Sequence, residues 1–264
     1  MRLSKEDHKM TEEYIFERIS ARRLADIRSL YRDCFNEDVL QEFLQKKYDT
    51  SFTGISDIGY IAYHESGTPV AYYGVFPCNA VIGGKIYLCA QSGDTMTHPN
   101  HRGKGLFIKL AKLTYGLAKT NGIQFVFGFP NENSYHGFVN KLGWTHKENF
   151  NLYMINIFTF PLAYVCSKVS FLSSLYQSYA NRILKNRFSR KKYFENPLVT
   201  QSGSGVLRDE NFFDYKKFSP KELIDINGTC VYIKAGNTLR IGDIEETSEE
   251  DFFIILKKLK RLAM

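Results

Sequence analysis

The sequence predicts an α+β fold, a twisted and mostly antiparallel sheet flanked by helices, followed by a smaller C-terminal α/β annex. Three observations carry this. Residues 59–97, "GYIAYHESGTPVAYYGVFPCNAVIGGKIYLCAQSGDTMT", are rich in aromatic and β-branched residues and broken by "ESGT" and "GG", the pattern of an antiparallel meander. In residues 105–121, Leu106, Leu110, Leu113 and Leu117 step by four, three and four, which lays them on one face of a helix. The run "IQFVFGF" at 123–129 is continuously apolar, as expected of a strand buried on both faces. A strand, a helix and such a strand in succession make a parallel step in an otherwise antiparallel sheet.

The remaining elements follow in order. A first strand leads into "ISARRLADIRSLYRDCF", where Leu24, Ile27, Leu30, Tyr31 and Cys34 recur at helical spacing behind Ser20 as an N-cap. A second short helix is expected over Asp38 to Tyr48. The "NG" at 121–122 stops the central helix. A short helix from Ser134 to Leu142 and a strand beginning near Trp144 complete a first domain, residues 1–155. Residues 156–192 then read as helical, apolar at the start and basic at the end. Residues 193–220 read as a loop, whose later part, 201–220, is "QSGSGVLRDENFFDYKKFSP". Residues 221–264 read as a β-hairpin plus a helix, for which Thr247 and Ser248, three residues before Glu250 and Asp251, give the start signal. "CVYIKAGNTLRIGDIEE" resembles "GYIAYHESGTPVAYYGVF" and suggests that the annex is a degraded second copy of the first half.

A length of 264 residues and 44% hydrophobic content support a real core without covalent staples. The cysteines, Cys34, Cys78, Cys89, Cys166 and Cys230, are scattered, odd in number and free of any C-x-x-C pair, as expected of reduced thiols inside a cell. The segment "MRLSKEDHKMTEEYIF" lacks the apolar stretch of a signal peptide. No run reaches the roughly 18 apolar residues of a spanning helix. The expected location is therefore cytoplasmic. Net charge is +7, and between Val165 and Phe194 stand seven basic residues (Lys168, Arg182, Lys185, Arg187, Arg190, Lys191, Lys192) with no acid. No helix-turn-helix, finger or aromatic platform accompanies them, so nucleic acid is not the expected partner. A solvated helix face, weak contact with an anionic membrane surface, or contact with an acidic acyl-carrier protein each suits the segment 165–194.

"THPNHRGKGLF", residues 97–107, joins a strand to a helix, and it has the composition of an anion cradle. The first backbone N–H groups of a helix have no partner within it. Gly103 and Gly105 permit positive φ and close approach, and Arg102 and Lys104 add charge. A polyphosphate there gains charge-assisted hydrogen bonds of about 1.5 to 3 kcal/mol each and the favourable end of the helix dipole. The stretch fails the Walker pattern, because "GKG" precedes neither Ser nor Thr. It fails the dinucleotide fingerprint, because "GKGLFI" lacks a third glycine and follows a meander.

Residues 97–144 as a whole resemble the GNAT acyltransferase superfamily, whose signature is [Q/R]-x-x-G-x-[G/A] at a strand-to-helix turn, then a buried strand, an Asn-containing loop, and a helix ending in K-L-G-[F/Y/W]. Arg102, Gly105 and "KLGW" match, while Phe107 stands where the signature has Gly or Ala. The resemblance implies a GNAT fold and acetyl-CoA, or another acyl-CoA, as co-substrate. The backbone of Arg102, Gly103, Lys104, Gly105, Leu106 and Phe107 would then hold the pyrophosphate. Thr95, Met96 and Thr97 would meet the pantetheine arm along the strand, the strand "FVFGF" would splay away to admit it, and Asn131 or Asn133 would touch the cofactor.

Direct transfer from a thioester to an amine needs positioning, oxyanion stabilisation, a base and a proton source. The family's usual acid is a tyrosine at the position of Val139, so Tyr135, one turn earlier, is the candidate in its place, with His136 beside it. Asp94 is the best-placed base, acting through water, and after Gly93 it equally suits a turn or bulge. His98 and His101 lack a carboxylate partner nearby, so no metal is expected. Deprotonating a lysine-like amine of pKa about 10.4 at pH 7 costs about 4.6 kcal/mol, and this sparse set of catalytic groups favours a less basic amine. The sequence thus reads as an N-acyltransferase, most simply an acetyltransferase acting on the amine of an amino sugar or similar small molecule. The alternatives are a protein-lysine acetyltransferase and a CoA-binding or scaffold protein whose catalytic groups have decayed.

Overall fold

The computed structural model describes residues 13–149, 151–159, 162–219, 221–236 and 238–263. They group into two compact units. The first runs up to Cys78 and from Leu88 to Glu148, and the second takes Asn79–Tyr87 together with the chain from Asn149 onward.

The first unit holds β1 (Tyr14–Arg18), α1 (Leu24–Phe35), α2 (Gln41–Tyr48), β2 (Gly59–His64), β3 (Pro69–Ile82) as far as Cys78, β4 (Lys85–Thr97) from Leu88, α3 (Leu106–Thr120), β5 (Val126–Phe127) and α4 (Glu132–His136). A π-helical turn, Gly137–Lys141, continues α4. The strands lie in the order β1-β2-β3-β4-β5. β1 pairs antiparallel with β2, as β2 does with β3, and β5 pairs in parallel with β4. Each face of this sheet carries its own core. On one, Leu106, Leu110 and Ala111 of α3 pack with Ala71, Tyr73, Val75 and Ala90. On the other, Leu24, Ile27 and Leu30 of α1 and Leu44 of α2 pack with Ile61, Tyr63, Tyr72 and Met96.

The expected α+β fold is therefore present, and its departures are local. Ser20 is extended and makes no side-chain cap, because a 3-10 turn, Ala21–Arg23, precedes α1. Of the apolar run 123–129 Val126 and Phe127 form the strand beside β4, Gln124 donating to the Leu88 carbonyl and Phe125 accepting from the Ala90 N–H just before it, and Phe129 is exposed. Within the run Ile123 is buried, Val126 and Phe127 are half-buried and Phe125 is exposed, because β5 lies at the end of the strand order with β4 alone beside it. The strand expected to begin near Trp144 is not formed among the described residues: 145–149 and 151–159 carry no strand, and Leu152, Tyr153 and Met154 are exposed.

The second unit contains α5 (Leu162–Ser167), α6 (Ser170–Lys185), α7 (Pro197–Ser202), β6 (Ser204–Val206), α8 (Glu210–Tyr215), β7 (Glu222–Ile226), β8 (Thr229–Lys234), β9 (Arg240–Ile244) and α9 (Glu249–Leu262). β7, β8 and β9 form an antiparallel sheet against which α9 buries Ile255 and Leu259. β6 pairs antiparallel with Ala80–Ile82. The stretch expected to be a loop is thus largely structured. Asn196 caps α7 by accepting from the Leu198 N–H, and Asp209 caps α8 by accepting from the Phe212 N–H. The density of Gly and Ser nearby hides both signals in the sequence. Ser248 caps α9 and exchanges hydrogen bonds with Asp251, as its spacing implies.

Candidate active site

β5 meets β4 only at Ala90↔Val126 and Gln91↔Phe127. Beyond these pairs the two chains separate, and a cleft of about 820 Å³ opens between residues 92–97 on one side and 128–131 on the other. The cradle and the end of α4 complete its wall. An extended ligand arm can therefore lie alongside β4 in place of a paired strand.

The course of β4 determines which side chains reach this cleft. Alternate residues of a strand share a face, and Leu88, Ala90 and Ser92 do lie toward the α3 face, where Ser92 Oγ meets the Tyr73 hydroxyl at 2.8 Å. At Asp94 the backbone is left-handed, with φ of 53°. That single residue exchanges the faces, so Asp94 and Met96 belong with α1 and α2. Gly93, just before it, has no room for a side chain, since a Cβ would lie 2.7 Å from the Phe76 ring.

Asp94 is firmly held. Lys47 Nζ donates to its Oδ1 at 2.6 Å and the Tyr48 hydroxyl to its Oδ2 at 2.8 Å. The Lys47 and Asp94 side chains are 17% and 13% exposed, and the ammonium lies over the rings of Tyr31, Phe43 and Phe76. Burial, and next the charge of Asp94, pushes the Tyr31 and Tyr48 hydroxyls well up from the ordinary tyrosine range, so both remain protonated donors.

In the cradle, Gly103 and Gly105 take φ of 78° and 76°. A Cβ at either would meet nothing within 4 Å, so glycine is required there by conformation and the space above it is open to a ligand. Gly105 stands at the N-cap of α3, and the Lys109 N–H already reaches the Gly105 carbonyl at 3.1 Å. The N–H groups of Leu106, Phe107 and Ile108 precede that first bond, and helix geometry gives them no partner within α3. Arg102 Nε donates to the Thr97 carbonyl at 3.3 Å, tying the loop to the end of β4. The Phe107 ring packs edge-on to Phe138 at 5.0 Å and against Tyr73 at 5.8 Å, over Gly137, where a Cβ would lie 2.4 Å from it. A small residue at 137 thus compensates for the large one at 107, and the Phe107 backbone stays in the cradle.

Ten of the eleven expected cofactor contacts, Thr95, Met96, Thr97, Arg102, Gly103, Gly105, Leu106, Phe107, Asn131 and Asn133, line the cleft, and Lys104 does not. Asn131 also caps α4 by accepting from the Ser134 N–H. Asp94 lines the cleft, whereas Tyr135 does not: it is 37% exposed and its hydroxyl pairs with His146 Nδ1 at 3.1 Å. The turn of α4 presents the neighbouring His136 instead, whose Nδ1 lies 2.8 Å from Asn140 Nδ2. Sequence reasoning overlooked Ser92, Cys34 and Lys47. Cys34, near Thr97 and Arg102, has its thiol pushed up by burial, against the opposing charge of Arg102. His98 and His101 form an aromatic cluster with His64, and His101 Nδ1 pairs with the Tyr14 hydroxyl at 2.9 Å. Among the described residues no group of three or more His, Cys, Asp or Glu is arranged to hold a metal.

The residues present fit an acyl-CoA, with open glycines where a pyrophosphate would lie and an unladdered strand edge for its arm, and the chain is an acetyltransferase that uses acyl-CoA as co-substrate. The sequence model of the acetyltransferase (GNAT) domain matches residues 16–146, so this part of the chain is a GNAT acetyltransferase domain. Two solved structures resemble nearly the whole chain. A Pyrococcus horikoshii protein, provisionally named an acetyltransferase, is 11% identical with a TM-score of 0.58, over 98% of this chain and 81% of its own. A GCN5-related N-acetyltransferase from Kribbella flavida is 11% identical with a TM-score of 0.54, over 97% of this chain and 62% of its own. At this identity the likeness is one of fold. No curated protein matches the sequence.

Proposed function

We propose that the protein transfers an acetyl group from acetyl-CoA to the amine of a small molecule, an amino sugar or similar, by direct attack on the thioester. The observation that carries this reading is the cleft itself, which ends at the Gln91↔Phe127 pair and opens onto the glycine cradle. The backbone of Arg102–Phe107 holds the pyrophosphate, main-chain groups of Thr95–Thr97 hold the arm, and Asn131 or Asn133 touches it. Asp94 supplies the negative charge that orients the incoming ammonium. With Lys47 and Tyr48 on its two oxygens, it takes the amine proton through water and not by direct contact. Tyr135 donates no proton in this reading, since His146 holds its hydroxyl away from the cleft.

A site with so restrained a carboxylate suits an amine that gives up its proton readily. A lysine-like amine would require about 4.6 kcal/mol for deprotonation at pH 7, and electron-withdrawing oxygens on a sugar ring reduce that. The test is thiol release from acetyl-CoA over a panel of amino sugars, simple amines and lysine peptides. Turnover of amino sugars well above that of lysine peptides is expected, and the reverse ranking would overturn the assignment. The basic segment 165–194 is read as a solvated face, in which Lys191 and Lys192 pair with Glu245 and Glu210 at 2.6 Å each. Among the described residues no helix is long and apolar enough to cross a membrane.

A further inference from the structure

Ser92 is the first residue of β4 beyond its last pairing with β5, and it lines the cleft. It also ends a chain of side chains that runs in from the α3 face. Trp144 Nε1 donates to the Tyr115 hydroxyl at 2.9 Å, the Tyr115 and Tyr73 hydroxyls are 2.9 Å apart, and Tyr73 and Ser92 are 2.8 Å apart. An indole nitrogen only donates, and each hydroxyl carries a single proton. Within this chain one order gives every enclosed proton an acceptor: Trp144 to Tyr115, Tyr115 to Tyr73, Tyr73 to Ser92. The proton left over is that of Ser92, at the cleft wall. Burial pushes the Tyr73 and Tyr115 hydroxyls up from the tyrosine range, so both keep their protons.

Ser92 lies at the narrow end of the split. A Cβ on Gly128 would approach the Ser92 Cβ to 3.2 Å and the Trp144 ring to 3.3 Å, so the strands nearly close there. The cradle lies at the other end, and from Thr97 back to Ser92 the strand spans about 17 Å. A pantetheine arm anchored at the cradle and laid along β4 brings its thioester to this apex.

We propose that Ser92 is a catalytic residue whose hydroxyl donates a hydrogen bond to the thioester sulfur, and that Tyr73, Tyr115 and Trp144 are positioning residues that aim it. The proposal rests on the acyl-CoA reading of the cleft. As the amine nitrogen forms its bond to the carbonyl carbon, the carbon–sulfur bond breaks and its electron pair goes to sulfur. The amine proton leaves through water, and Ser92 keeps its own proton. The sulfur leaves as a thiolate, which a thiol of ordinary pKa about 8.5 can do near neutrality if its charge is stabilised, and it is protonated by solvent on release. A hydrogen bond that strengthens as charge develops on sulfur lowers the barrier without stabilising the bound thioester to the same degree.

Free CoA bound to the full chain is the probe, and thiolate absorbance in the ultraviolet, followed against pH, is the readout. The bound thiol is expected to ionise about one pKa unit lower in the wild-type chain than in Ser92→Ala, about tenfold in its ionisation constant. Ser92→Thr, which keeps a hydroxyl, should retain the shift, and Tyr115→Phe, which removes the link that fixes the direction, should reduce it. Calorimetry of CoA binding in the same samples separates two failures. Binding with an identical thiol titration in wild type and Ser92→Ala overturns the role of Ser92 alone. No binding to the wild-type chain overturns the acyl-CoA reading of the cleft, and this proposal with it. If Ser92→Ala does not fold, Tyr115→Phe decides the matter, and a wild-type titration in that variant overturns the proposal.

Discussion

Ser92 and Asp94 stand two residues apart on one strand and belong to different environments. Regular alternation would place both on the same face of the sheet. The left-handed backbone at Asp94 places Ser92 among Tyr73, Tyr115 and Trp144 beneath α3, and Asp94 among Tyr31, Lys47 and Tyr48 beneath α1 and α2. The first environment is a file of neutral hydroxyls that ends in one available proton. The second is an ion pair boxed by aromatic rings. A thioester beside β4 would thus have a neutral donor on one side and a carboxylate already paired with Lys47 on the other, suited to a departing sulfur and to a water that takes the amine proton respectively. One strained residue in a strand of thirteen separates the two roles.

The two environments should differ most in their dependence on charge. Asp94→Ala removes the carboxylate from Lys47, whose side chain is only 17% exposed, and should lower stability by about 3 kcal/mol. Adding Lys47→Met should restore much of that loss, because the aromatic box then receives an apolar chain in place of an ammonium. Urea midpoints of the single and double variants measure both effects, and a double variant no better than Asp94→Ala would show that the pair is not the source of the loss. On the other face, Tyr73→Phe takes a neutral hydroxyl from the middle of the Trp144–Ser92 file and should cost about 2 kcal/mol, the penalty for leaving its neighbours unpaired.

Alkaline pH sharpens the same comparison. Burial raises Tyr31 and Tyr73 above the ordinary tyrosine value of about 10, so the folded chain holds protons that the unfolded chain releases. Above that pH the unfolded state binds fewer protons. Stability is therefore complete below about pH 10 and falls as pH rises beyond it, by up to about 1.4 kcal/mol per pH unit for each such tyrosine. Tyr73→Phe and Tyr31→Phe should each make the decline shallower by one proton, as read from unfolding free energies at pH values on either side of 10. A decline unchanged by either substitution would mean that the group titrates alike in both states.

Much of the fold was legible because its signals are local. The meander shows in β-branched and aromatic runs divided by Gly83 and Gly84, α3 in the leucine spacing, and the cradle in two glycines beside Arg102. Asp94 was legible as a bulge candidate after Gly93, but its partners Lys47 and Tyr48 lie 47 and 46 residues away on a separate helix. The Ser92 file was hidden for a related reason. Tyr73, Tyr115 and Trp144 read as ordinary core aromatics, and only tertiary packing brings their polar atoms together. Phe107 looked like a departure from the cradle signature because its compensation, Gly137, lies thirty residues on.

The smallest predicted effect isolates the cradle from both faces. Gly105→Ala places a Cβ where there is open space, so it makes no clash, but it holds alanine at φ of 76° and should cost about 1 kcal/mol through backbone strain alone. The side chain would stand where the pyrophosphate is expected, so CoA binding measured by calorimetry should weaken. The thiol titration of whatever CoA remains bound at saturation should be that of the wild type, since Ser92 and its file lie at the other end of the arm. A Gly105→Ala variant in which affinity and thiol ionisation change together would indicate that cradle and apex are coupled through β4. Unchanged affinity would place the phosphates somewhere other than the turn between β4 and α3.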